Sequence, residues 1–446
     1  MSSLATPKKK SVLRTTLLVL PAQVVFRAGE ALLPLLLAYW FGRSGATDVY
    51  YFAWAVFAFA GSLVFTAFQD SALVPILAEE RIDRREELPR LIGSLLSYTW
   101  AIGGAIAVAV GLVAMGWFAY RYQGPDFTLA ATMVVPFSIY LVAMATRTFF
   151  ATLLASQHHF VVQPVSSGVG MALNIGILAF GHDRFGVVLV PVAALVGEIV
   201  ASAVLAWFTL RIVGLRIELG FVRPPALVRF AKLVVAEVGG SAVTRVNPVV
   251  DQLMAGLSLV VGGGTMLRYS GDVASLPTSI LQASLLPVLL AHLSDDFAAR
   301  DLEAVRRKVV RAVASVFGIL LAASILLYAI RGPLLRFVFL RGEMDVAGVD
   351  RMIQILPYHL VGLAPFGVLL VLARAHVAVK NSTIMLSMGV LNTVCNALFN
   401  LVLLRAIGLE GLALSTSCVQ AAVAVVFWFR FDARLDALKK GVAAAT

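Results

Sequence analysis

Ten charged side chains fall in stretches otherwise apolar enough to lie in lipid: Arg27, Glu30, Asp70, Arg147, Glu198, Glu237, Arg245, Asp251, Arg268 and Asp272. A charge at the centre of a bilayer costs about 2.5–3.5 kcal/mol on insertion scales, so each of these must face protein or water. Arg27 and Glu30 are spaced i,i+3 and Arg268 and Asp272 i,i+4, so on a helix each pair shares a face and can form an ion pair. Two chemistries are open. The pairs can neutralise each other and only fix packing, or the arginines can bind an anionic substrate. The planar guanidinium suits phosphate because its fork bonds two oxygens at once. Arg27, Arg245 and Arg268 are therefore the candidate substrate ligands. Glu30, Asp48, Asp70, Asp251 and Asp272 are the candidates for charge balance or for coupling to an ion. Asp48 falls at the outer end of a span, where a solvated cap is the default, and Arg147 and Glu198 read as polar links between helices.

Enzymatic chemistry finds little support. The histidines His158, His159, His182, His292, His359 and His376 form no HExxH, and neither a paired CxxC nor a GxSxG is present. Cys395 and Cys418 sit within apolar runs, which argues against a disulfide framework or a metal site. VGGGT at 261–265 is a tight turn rather than a phosphate loop, since no strand precedes it and no lysine follows in register. The expectation is a protein that is not an enzyme and has no organic cofactor, driven by a coupling ion (proton or sodium) or by the membrane potential.

The elements that must position these residues are transmembrane helices. Of 446 residues, 60% are hydrophobic and 14% charged, against about a quarter charged in a soluble domain. Twelve spans are expected near 13–40, 49–78, 91–120, 127–155, 160–181, 186–210, 227–261, 264–292, 307–330, 351–374, 381–404 and 408–430. The first is a retained span rather than a cleaved signal, because its apolar run continues to about Trp40 without a small-residue cleavage site. The segment 331–350 is the longest external connection, and its PLLRFVFL is amphipathic enough to lie at the outer interface. With the N-terminus inside, 24 Lys/Arg fall on the cytoplasmic side and 8 outside. That bias places both termini in the cytoplasm and accounts for the net charge of +11 without nucleic acid.

The chain also repeats itself. Arg27 aligns with Arg245, Thr47 with Thr265 and Tyr51 with Tyr269 at a spacing of 218, and Asn174 with Asn396 at 222. SALVPIL (71–77) aligns with ASLLPVL (283–289), setting Pro75 against Pro287. The polar connector around Pro224-Pro225 divides the spans six and six. It gives an N-terminal lobe over 1–215, a linker over 216–232 and a C-terminal lobe over 233–446. The fold class is an all-α polytopic membrane protein of two six-helix repeat lobes. Parallel repeats of this kind are a transporter architecture, with the substrate expected between the halves. Pro75, Pro248, Pro277 and Pro287 are the candidate hinges, because a proline within a span frees a carbonyl and permits a bend.

WFGRSGATDVYYFAW (40–54), SALVPILAEE (71–80), LRYSGDVASLP (267–277), LLPVLLAHL (285–293), LRGEMD (340–345), KNSTIMLSMGVLNTVCNALFN (380–400) and GLEGLALSTS (408–417) occur in an order that resembles the MurJ/MviN-type lipid II flippases of the MOP superfamily. The resemblance spans essentially the whole chain. It implies a two-lobe core with alternating access, moving a polyprenyl-linked saccharide between the leaflets of a bacterial cytoplasmic membrane. A further pair of C-terminal spans in typical members has no counterpart in this sequence. The family ties several cavity arginines to the substrate pyrophosphate. One matches Arg27; the second of its first helix falls at Leu33, and those of its second near Gly61 and Ser62. The family's Tyr-Ala-Asp-Arg corresponds to Tyr269-Ser270-Gly271-Asp272, so an acid stands where the family keeps an arginine, while its Asp is retained as Asp48. The expected partners are the lipid-linked saccharide, membrane lipids and envelope-biosynthesis enzymes. The alternatives are a cation-coupled drug or small-molecule antiporter of the same superfamily, and a transport-inactive scaffold for those enzymes.

Overall fold

A computed structural model describes residues 28–65, 86–157, 159, 161–223, 225–228, 230–231, 246–257, 260–379, 381 and 384–443. Arg27, Asp70, Pro75 and Arg245 lie outside the described residues. Among the described residues every regular element is helical. Twelve helices stand at the twelve expected places, α1 (Ala28–Phe41), α2 (Gly45–Phe65), α3 (Leu88–Arg121), α4 (Pro125–Ser156), α5 (Val162–Phe185), α6 (Leu189–Trp207), α7 (Asn247–Leu257), α8 (Gly263–Ala298), α9 (Leu302–Phe339), α10 (Val346–Ala378), α11 (Ile384–Ile407) and α12 (Leu409–Ala443). Those of α3, α4, α9, α10, α11 and α12, and the run Val162–Ile212 that holds α5 and α6, are long and apolar enough to cross a membrane.

The starts of these helices are written locally. Pro89 and Pro125 stand in the first turns of α3 and α4, where a missing N–H costs no helical bond. Asp301 caps α9 by accepting from the Ala304 N–H at 2.8 Å, and Asp345 caps α10 by accepting from the Gly348 N–H at 3.0 Å. Helix α9 runs on to Phe339 with Pro333 inside it, so PLLRFVF is the last stretch of that helix instead of a separate element. The Arg331 guanidinium, 4.0 Å above the Tyr328 ring, supports that last stretch.

The chain divides into two compact units, one within Met1–Leu37 and Val56–Val238, the other within Ala38–Ala55 and Gly239–Thr446. In the first, Leu91, Ile92, Leu95 and Leu96 of α3 pack with Phe149, Leu153 and Leu154 of α4 and with Leu205 of α6. The connector after α6 docks on the same core. The Glu218 N–H donates to the Pro89 carbonyl at 3.1 Å and the Gly220 N–H to Ser97 Oγ at 3.2 Å. Helices α5 and α6 approach through Gly170 and Gly197, where a Cβ on either residue would lie about 2.5 Å from the other's carbonyl oxygen. Small residues serve this purpose in lipid, where apolar surface alone gives helices no reason to associate.

In the second unit, Met352, Ile355, Leu356, Val371 and Leu372 bury α10 among its neighbours. His376 is fully enclosed against Phe427 and Phe431 of α12, its Nε2 bonded to the Phe427 carbonyl at 3.1 Å. Helix α8 carries Pro277 and Pro287 within one unbroken 36-residue helix. Hydroxyls surround the turn that Pro277 deprives of an N–H: Ser275 donates to the Asp272 carbonyl and Thr278 to the Ser275 carbonyl. Pro248 stands in the first described turn of α7.

Candidate functional site

Polar side chains in the second unit gather at three levels. The first is a junction of WFGRSGATD with LRGEMD and VGGGT. Gly42 and Gly342 both have positive φ and each lies close to backbone of the other segment: a Cβ on Gly342 would sit 2.1 Å from the Tyr39 carbonyl oxygen, and one on Gly42 2.3 Å from the Glu343 carbonyl oxygen. The Glu343 N–H donates to that same carbonyl at 2.9 Å. Arg43 binds Asp345 bidentately, Nε to Oδ1 at 2.7 Å and Nη2 to Oδ2 at 2.9 Å. Its guanidinium holds the Asp345 carboxyl below the usual carboxylate range.

Asp48 is not the solvated cap expected of the outer end of a span. It accepts from the Gly262 N–H at 2.7 Å, the Thr265 N–H at 2.8 Å and the Thr265 hydroxyl at 2.8 Å. These are the orphan donors at the start of α8, so Asp48 caps from outside a helix whose own first residues are glycines. Its own helix is closed separately by the reciprocal bonds of Ser44 and Thr47.

Below that junction, Arg268 Nε meets Asp272 Oδ2 at 3.1 Å along α8, with 41% and 34% of the two side chains exposed. The i,i+4 pairing read from the sequence is formed. Beside it the Tyr51 and Tyr269 rings meet edge-to-face at 5.5 Å, both buried, and neither hydroxyl has a hydrogen-bond partner of normal geometry among the described residues.

The third level joins α7, α11 and α12. Asp251 Oδ1 accepts from Asn396 Nδ2 at 2.9 Å and from Asn400 Nδ2 at 2.8 Å, and the Thr416 hydroxyl also faces the carboxylate. One turn away, Asn247 bonds Asn392. Asn392, Asn396 and Asn400 thus form a ladder at i, i+4 and i+8 opposite Asn247 and Asp251 at i and i+4. The Asn396 and Asn400 side-chain Oδ1 atoms are buried and have no donor among the described residues. A carboxylate, two amide oxygens and a hydroxyl are the oxygen ligands a hard monovalent cation takes, and rotating each amide would turn its oxygen towards Asp251. Among the described residues no group of three or more His, Cys, Asp or Glu can hold a metal. The period of the ladder is legible in NTVCNALFN, but nothing in the sequence pairs those asparagines with Asp251.

The first unit holds a different polar centre. Arg147 of α4 is ion-paired with Glu198 of α6, both largely buried, and reaches Ser167 of α5 at 3.4 Å. Glu30 of α1 adds a weaker electrostatic influence on Arg147. The reading of Arg147 and Glu198 as a link between helices fits this geometry.

A family model described as the lipid II flippase MurJ matches residues 37–445. A lipid II flippase MurJ of Burkholderia cenocepacia is 23% identical over 398 residues, covering 85% of this chain and 76% of that protein. A probable lipid II flippase MurJ of Vibrio cholerae is 23% identical over 436 residues, covering 92% and 80%. Among solved structures, a lipid II flippase MurJ in an inward closed conformation superposes with a TM-score of 0.77 at 18% identity, covering 94% of this chain and 87% of that one. An inward-facing multidrug resistance MATE transporter of the MOP superfamily gives 0.78 at 14% identity, covering 95% and 99%. The all-helical architecture is that of both groups, and the match along nearly the whole sequence decides between them: the chain belongs to the MurJ lipid II flippase family.

Proposed function

We propose that this protein moves a polyprenyl-linked saccharide, lipid II or a related envelope precursor, across a bacterial cytoplasmic membrane by alternating access. The observation that carries the reading is the family match over 37–445, joined to a partly exposed arginine within the 36-residue helix α8. Charge at that depth is tolerated where it meets water or a polar cargo. Arg268, with Arg27 and Arg245, binds the phosphate-bearing head, while Pro248, Pro277 and Pro287 ease bending of α7 and α8. Both termini lie in the cytoplasm, and the protein binds and moves its cargo without making or breaking covalent bonds.

Asp251, Asn396, Asn400 and Thr416 hold the coupling cation in this proposal, with sodium the first choice. The oxygen donors fit a hard ion, and occupancy would neutralise Asp251 inside the span. Glu30, Asp48, Asp70 and Asp272 balance the remaining charge. The direct test is a flipping assay in proteoliposomes with an undecaprenyl-linked saccharide, together with rescue of cells depleted of their lipid II flippase. Absence of both transport and rescue would refute the reading. A second reading, a cation-coupled antiporter of small organic cations, draws on Asp272 and on the superposition with a multidrug transporter. Sodium-driven efflux of an organic cation from vesicles, without flipping, would establish it instead.

A further inference from the structure

Helix α3 is longer than a membrane is thick. Its 34 residues run about 51 Å at about 1.5 Å each, against about 30 Å of hydrocarbon. Centred in a bilayer, it enters the hydrocarbon about seven residues in, near Leu95, and its first turns stand among the headgroups. The connector that follows α6 climbs along those turns. Helix α6 closes in a wide turn, the Val213 N–H donating to the Phe208 carbonyl at 3.0 Å, and Gly214 follows with a φ of 72°. From there to Arg223 the backbone is non-helical. The Glu218 N–H donates to the Pro89 carbonyl, the Gly220 N–H to Ser97 Oγ, and the Phe221 carbonyl accepts from the Tyr98 hydroxyl at 3.3 Å. The connector therefore follows α3 from Pro89 to Tyr98, a rise of about 13 Å. Gly93 makes room for it, since a Cβ there would lie 1.8 Å from the Glu218 carbonyl oxygen.

One side of this strap faces the protein, where Leu215 and Ile217 pack against the core of the first unit. The other side is apolar and bare. Leu219, Phe221 and Val222 are 60%, 64% and 56% exposed, beside Ser97 and Tyr98 and so at the level where α3 enters hydrocarbon. They continue the exposed apolar surface of Trp207, Leu210 and Ile212, which ends the run Val162–Ile212 that is long and apolar enough to cross a membrane. Charge gives the strap little preference among headgroups: residues 86–98 and 208–223 carry four bases and three acids, and Arg90 already pairs with Glu218 at 3.2 Å. We propose that residues 219–222 are a membrane-docking strap, seated at the boundary of headgroups and acyl chains in the leaflet where α6 ends and held at that depth by α3. The occupant is the bilayer itself, zwitterionic lipid included. The boundary is also the limit of depth, because irregular backbone exposed to lipid is not tolerated within the hydrocarbon.

The test is spin labelling of the full chain in phosphatidylcholine nanodiscs, with Cys395→Ser and Cys418→Ser and one new cysteine at a time. Molecular oxygen concentrates among acyl chains and a nickel chelate stays in water. Labels on Leu219→Cys and Val222→Cys should collide with oxygen several times more often than with the chelate, and a label on Arg216→Cys should show the reverse. Ser97→Ala with Tyr98→Phe removes two side-chain ties to the strap. It should raise chelate collisions at 219 and 222 several-fold with the helix content by circular dichroism unchanged. Chelate access at 219 and 222 equal to that at 216 makes the connector a solvated loop and overturns the docking. Shielding of both labels from both reagents means that protein covers the strap, a second copy included, and overturns it as well. Chelate access unmoved by the double substitution overturns the part given to α3.

Discussion

Asp251 is the residue on which the proposed ion coupling can be tested. Its carboxylate gathers two asparagine amides and a threonine hydroxyl, yet the asparagine oxygens point nowhere. Asp251→Asn should abolish sodium dependence of flipping in vesicles while leaving the thermal unfolding midpoint in detergent within a few degrees. Unchanged sodium dependence would remove the residue from coupling. Arg147 makes a different prediction. Arg147→Ala strands Glu198, and breaking a buried pair from one side costs about 3–5 kcal/mol, whereas Arg147→Met with Glu198→Leu should recover most of that loss. A double-mutant cycle on unfolding midpoints checks the loss and its recovery. At the Arg43–Asp345 junction the sign with pH is fixed by Arg43. Because the folded Asp345 value lies below the ordinary one near 3.9, its contribution is complete above that pH and fades as pH falls through the lower folded value. Arg43→Gln should remove this acid sensitivity, measured as the unfolding midpoint between neutral and acid buffer. The ionic spacing of Arg268 and Asp272 was legible in the sequence, because i,i+4 geometry is local. Asp48 was not, since its partners Gly262 and Thr265 lie more than two hundred residues away and are mostly backbone donors, which leave no trace in residue type.

Helices were the most legible scale, because membrane spans announce themselves by length and apolarity. Among the described residues each of the twelve expected places carries helix, and the discrepancies concern ends: α9 absorbs Pro333, and α12 reaches Ala443 well past the expected 430. The extension of α12 is amphipathic and makes ion pairs with the start of α9, Arg306 with Asp432 and Lys439 with Glu303, which periodicity read only for apolar runs overlooks. Helix contacts in the first unit predict a steric result. Gly197→Val would force a branched side chain against the Gly170 carbonyl, so α5 and α6 must part. Overpacking of this kind costs about 1–3 kcal/mol. The variant should unfold at lower temperature than Gly176→Val on the partner helix α5, where a Cβ meets nothing within 4 Å.

At the scale of the whole molecule, the sequence yielded the polytopic class and the family, since charge bias and ordered motifs are distributed signals. It did not yield the membership of Ala38–Ala55, which keeps company with Gly239–Thr446. The reason is visible in Gly42, Arg43 and Asp48, whose partners are Glu343, Asp345 and Gly262. Cysteine accessibility from the two faces of sealed cells checks the expected orientation: probes at residue 3 and residue 442 should label only from the cytoplasm. The asparagine ladder between α7 and α11 has one last consequence. Teeth at i, i+4 and i+8 against teeth at i and i+4 mesh in one register, as a rack meshes with a pinion. A one-residue slip would turn every tooth by about 100° and unmesh them all. Whatever strokes the transport cycle makes, α7 and α11 should travel locked together, and sliding must be taken up at other helix seams.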